Sequence, residues 1–169
     1  MVADRLVELI ETNRARMSAD VATDLATNAR TRGFRAVPRQ DLEARVFQIL
    51  QHLSQSLGDQ RSERVKAEFA DWGRRRFDQG IPFSEIIYSI IVLKHHLSRY
   101  IRENGLVETS FPRVGRNLTL PVHLNSLQEL NVQMNLFFDE ALYHLSRGYH
   151  QQPPDAPGVT TPLARRQVE

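Results

Sequence analysis

The stretch DWGRRRFDQGIPFSEIIYSIIVLKHHLSRYIRENG, residues 71–105, decides the fold class, because two helical patterns meet inside it at a single break. Val65, Phe69, Trp72 and Phe77 form an apolar stripe that runs into Gly80. A residue without a Cβ can take the left-handed conformation that ends a helix. Pro82 follows two residues later, and proline is tolerated in a first turn, where its missing N–H would have had no partner. The spacing predicts a helix ending near Gly80, a second one from Pro82 to Glu103, and a tight helical hairpin between them. The second helix is apolar on nearly every side at first, from Phe83 to Leu93, which is the pattern of a central helix or one shared with a partner subunit.

The same periodicity continues in both directions. Leu6, Leu9, Ile10, Met17, Val21 and Leu25 recur at spacings of three and four and predict a helix over about 3–30, before Gly33 and Pro38 punctuate the chain. Leu42, Val46, Ile49, Leu50, Leu53 and Leu57 predict another, ending at Gly58. After a loop expected over 106–120, Pro121 can open a last helix, in which Val122, Leu130, Met134, Phe137, Phe138, Leu142, Leu145 and Tyr149 keep helical spacing. The expectation is an all-α, single-domain bundle of about five helices with a long C-terminal helix, occupying residues 1–150. Residues 151–169 hold half of the chain's 8 prolines and read as a disordered tail or linker.

Composition narrows the function classes. With 41% apolar and 25% charged residues, most of the chain has the means to fold. Of the 22 basic residues all but Lys66 and Lys94 are arginines, yet the net charge is only +2 because acids are interleaved among them. A nucleic-acid binder concentrates positive charge on one face, so no nucleic-acid partner is expected. The absence of cysteine excludes disulfides, thiolate zinc sites and thiol nucleophiles, and fits a cytoplasmic protein. The densest apolar stretch, 81–93, is too short and interrupted for membrane insertion.

Residues able to carry chemistry are few. HExxH, GxSxG, a P-loop and Cys/His clusters are all missing, so no catalytic residue and no metal ligand is assigned and the chain is read as no enzyme. His95 and His96 are the most chemically able pair, but neighbours on a helix point about 100° apart and cannot ordinarily clamp one metal. The plainer reading sets one ring toward the core and the other toward solvent. A histidine phosphotransfer protein is the sharper alternative, although LKHHLSRY lacks the Lys-Gly that usually follows such a histidine. His144, beside an apolar stripe, joins His95 and His96 as a candidate ligand or switch residue. Arg74, Arg75 and Arg76 cover most of a helical circumference and read as solvated charge on aliphatic stems. Within the expected hairpin, Arg76 would face Glu85, Trp72 would meet Ser89, and Phe69 would meet Val92.

Together with NLFFDEALYHLSRGYH over 135–150, the residue 71–105 stretch resembles the RsbT co-antagonist RsbRD-type amino-terminal domain, a module similar to those ahead of bacterial sensor histidine kinases. The residues carrying the likeness are mostly packing residues: Trp72, Arg76, Phe77, Gly80, Glu85, Phe137, Phe138, Asp139, Gly148 and Tyr149 among them. The resemblance implies a sensory or regulatory input domain, helical, with a globin-like arrangement as one form. It also implies a homodimer whose final helix leads into an output domain or signalling partner. Here no STAS domain, kinase histidine box or ATP-binding domain follows Tyr149; the chain either works through protein contacts or is a piece of a longer polypeptide. Two readings follow. One is a non-catalytic regulatory module without a cofactor, acting through dimerisation and protein contacts; the other is a sensor holding haem or a small apolar molecule between its helices.

Overall fold

A computed structural model describes residues 2–58, 63–104 and 119–151, with side chains described from residue 3 onward and, in the last helix, from residue 128 onward. The expected loop over 106–120 lies outside the described residues except for Thr119 and Leu120, and the expected tail lies outside them except for Gln151. The described residues form an all-α, single-domain bundle of five helices: α1 Val2–Thr27, α2 Arg39–Leu57, α3 Glu63–Asp78, α4 Phe83–Glu103 and α5 Thr119–His150. A short 3₁₀ turn, Arg32–Ala36, links α1 to α2.

Except at Phe77, which is 36% exposed, the apolar stripes become buried faces among the described residues. Leu6, Ile10, Met17 and Val21 of α1 meet Leu42, Val46, Leu50 and Leu53 of α2, while Ile86, Ile90, Leu93 and Leu97 of α4 and Phe138 and Leu145 of α5 complete one continuous core. Burial on this scale is the main favourable term, about 1.5–3 kcal/mol for each large side chain removed from water. α1 stops three residues before Arg30 because the Thr31 hydroxyl, fully buried, donates back to the Leu25 carbonyl at 2.7 Å. That bond satisfies a terminal carbonyl which would otherwise have no partner. α5 begins at Thr119, so Pro121 sits inside its first turn, where no intrahelical N–H is needed.

The break at Gly80 forms as the sequence predicts, with φ +68° at the glycine. Ile81 N–H donates to the Arg76 carbonyl at 3.1 Å and Gly80 N–H to the Phe77 carbonyl at 2.8 Å. These are the two bonds of a Schellman cap. The helices on either side are not a hairpin. Pro82 is extended (φ −59°, ψ 140°), and α4 leaves the turn to pack on α1, whereas α3 packs along α5. The expected cross-hairpin pairs are therefore corrected: Glu85 accepts from Gly33 N–H at 2.7 Å, Arg76 Nη1 donates to Gln79 Oε1 at 2.6 Å, and Phe69 packs tilted against Trp72 and edge-on against Phe137.

The cause is a pair of glycines. A Cβ on Gly73 would overlap the Leu145 carbonyl oxygen, and one on Gly148 the Ala70 carbonyl oxygen. α3 and α5 thus touch backbone to backbone, an approach that any larger side chain at either glycine would prevent. This contact draws α3 away from α4. Of the two glycines only Gly148 falls among the residues carrying the family likeness; Gly73 has no periodic signal and is visible only in the structure.

Candidate functional site

The likeness residues converge on the lower end of α5. Tyr149 OH donates to the Ile81 carbonyl at 2.9 Å, and its ring packs edge-on against Phe77 (5.2 Å between centroids) and tilted against Phe83 (5.1 Å). The Gly80–Ile81 turn, the end of α3 and the start of α4 are therefore pinned to the last turns of α5. Trp72 and Phe138 are buried, Phe137 packs edge-on to Phe138, and Asp139 is exposed. Side chains that read in the sequence as a signature for a fold act here to hold the long C-terminal helix.

Among the described residues, the opposite face of α5 is exposed. Val132, Leu136 and Tyr143 are 50%, 50% and 56% exposed, and their spacing of four and seven places them in one stripe. Ile91 of α4 is exposed as well, and Lys94, one turn on, donates to Asn135 of α5 at 3.0 Å, joining the two helices. Asp139 lies within the stripe.

The histidines separate as the helical geometry predicts. His95 is exposed and His96 is buried. Arg99 Nη2 donates to His96 Nδ1 at 2.9 Å, which leaves Nε2 as the protonated nitrogen that donates to Asp24 at 3.0 Å. Burial works against the charge of Asp24, but hydrogen bonds from His96 and Asn28 outweigh it and hold its carboxyl below the ordinary range. One turn on, Tyr100 OH donates to Asp20 at 2.7 Å, and burial together with that bond pushes the phenol above its ordinary pKa. Two acid-to-ring bonds, four residues apart on each helix, thereby lock α4 to α1. The acid partners Asp20 and Asp24 were not legible in the spacing of His95 and His96.

His144 lines a groove of about 250 Å³ between α2, α3 and α5, together with His52, Phe69, Leu136 and Phe137. His144 Nε2 lies 3.3 Å from Glu140, and His52 Nε2 lies 2.8 Å from Glu68. Both rings direct that nitrogen at a glutamate rather than into open space. The groove is smaller than the ~300–1,000 Å³ usual for ligand pockets, and Ser56, Glu63, Lys66, Gln133 and Glu140 share its wall with the apolar side chains. Among the described residues, no group of three or more His, Cys, Asp or Glu could hold a metal ion.

Arg76 is the one guanidinium among the described residues that is buried, at 5% exposure. It lies over the rings of Phe34 (5.3 Å) and Trp72 (5.9 Å). Burial and the neighbouring Arg45 push its pKa down to about 10. Among the described residues, no helix is long and apolar enough to cross a membrane.

Compared with known proteins, residues 3–152 match the family model for the RsbT co-antagonist protein rsbRD N-terminal domain. No curated protein and no solved structure matches the chain.

Proposed function

The chain belongs to the RsbT co-antagonist protein rsbRD N-terminal domain family, and from that premise we propose that it is a non-catalytic input module of bacterial signalling that works as a homodimer and passes its state to a partner protein or output domain through α5. The observation that carries the reading is the two-sided character of α5. One face is fixed by the glycine crossing with α3 and by Tyr149 at the turn; the other presents Val132, Leu136 and Tyr143 to solvent. Large apolar side chains aligned on an exposed helix face favour a protein contact, because covering them removes apolar surface from water. A second copy offers the same stripe, which meets the self-complementarity that a two-fold interface requires. A change of packing at the turn then reaches the output through a single rigid helix. Replacing Val132 and Tyr143 together by Glu is expected to give a monomer with an unaltered far-ultraviolet circular dichroism spectrum. A double variant that stays dimeric would remove this face from the account.

The groove beside His144 supports a second reading, a sensor for a small apolar molecule. Phe69 and Phe137 belong both to its wall and to the facing surfaces of α3 and α5, so an occupant would bear on the same helix pair. Native mass spectrometry of the purified protein checks this reading through added non-protein mass. An Ala141→Leu variant that fills the groove should lose that mass; retention of it would place the molecule elsewhere.

A further inference from the structure

We propose that Arg76, with Arg45 and Arg75, forms a binding site for a phosphate-bearing small molecule at the junction of α2, α3 and the Gly80 turn. The inference goes beyond the dimeric reading of α5 and does not depend on it. Its starting point is a local shortage of acceptors. The Arg76 side chain is buried against Phe34 and Trp72, its Nε has no hydrogen-bond partner, and the buried Trp72 Nε1 has none either. A buried N–H without an acceptor is costly, and two on contacting side chains indicate that an acceptor is missing there.

The surroundings agree. Arg45 lies 5.0 Å over the Trp72 ring, and neither it nor Arg75 nor Arg76 makes an ion pair among the described residues. Asp41 is the acid whose charge offsets that of Arg76, and it is exposed. The acceptor that Arg76 does have is neutral: Gln79 Oε1, 2.6 Å from Nη1, on an exposed side chain at the end of α3. Gln79 occupies the place an anionic oxygen would take, and its side chain can swing outward. The carbonyls of Arg76 and Phe77 each accept an N–H of the Schellman cap. Three guanidiniums against two carboxylates, Asp41 and Glu68, leave an excess of positive charge for an anion, and the planar Arg fork suits paired oxygens. An occupant that displaces Gln79 would act on the residue next to Gly80, within the turn that Tyr149 grips.

Trp72 is the only tryptophan of the chain and touches two of the three arginines, so its fluorescence is a built-in probe. Titrating the full chain with inorganic phosphate should give a saturable change that sodium chloride at matched ionic strength does not reproduce. Affinity should fall roughly tenfold in Arg76→Lys, which loses the fork, and several-fold in Arg45→Gln. It should rise several-fold in Gln79→Ala, which removes the internal competitor. Arg45 and Gln79 are not buried, so these two variants keep the test decisive if Arg76→Lys fails to fold, and calorimetry with the same ion decides if the fluorescence is silent. Acetate binding as tightly as phosphate would overturn the assignment to phosphate. No saturable binding, or equal affinity in Arg45→Gln, Gln79→Ala and the unmodified chain, would overturn the site.

Discussion

At Gly148 and Gly73 the fold depends on atoms that are absent. A methyl group at Gly148 would overlap the Ala70 carbonyl oxygen, part of the α3 backbone, and backbone cannot step aside as a flexible side chain can. Gly148→Ala is expected to cost about 3 kcal/mol, the upper end for overpacking, measured as a fall in the urea midpoint. Gly58→Ala is the control, since its added Cβ would meet only ordinary contacts at 3.6 Å and 3.7 Å. Equal midpoints for the two variants would mean that α3 and α5 do not touch as described. At the same scale, Asp24 makes stability depend on acid. Its folded pKa lies below the ordinary 3.8, so its contribution is complete above that value and is lost as the pH falls through the lower folded one. Asp24→Asn should flatten this part of the acid unfolding curve; a variant with the same acid sensitivity as the unmodified chain would contradict it.

Among the elements, what the sequence made legible and what it did not divide along a physical line. Periodic burial is local, so all five helices and the cap at Gly80 could be read from spacings such as Leu42, Val46, Ile49 and Leu53. Which helix packs on which is a contest between distant surfaces. The turn suggested that α3 and α4 lie side by side, but a glycine facing a glycine-containing helix permits a closer approach than any stripe of large residues, and Gly73 gives no periodic cue. The buried state of Arg76 was equally hidden, since three consecutive arginines look solvated until Phe34 and Trp72 are brought around one of them. The same holds for the Asp24–His96 and Asp20–Tyr100 bonds, which join residues 72 and 80 positions apart. The tie between α5 and the turn rests on one hydroxyl. Tyr149→Phe keeps the ring contacts with Phe77 and Phe83 and removes the bond to Ile81, so it should cost about 1 kcal/mol. The loss should appear first as faster amide exchange in the last turns of α5. Unchanged exchange there would mean that the hydroxyl does not hold the helix.

For the whole molecule, the glycine crossing, the aromatic grip on the turn and the α1–α4 bonds all restrict how the helices can move, and among the described residues they leave Val132, Leu136 and Tyr143 of α5 exposed in a stripe that also holds Asp139. The family to which the chain belongs is a regulatory one, and a face of this kind gives such a module a means of being read by another protein. We propose that this face is covered by a second copy. Native mass measured on the unmodified chain across a range of concentrations tests it most directly. A dimer gives a species of twice 19.5 kDa that persists on dilution, and a mass of 19.5 kDa at every concentration would rule it out.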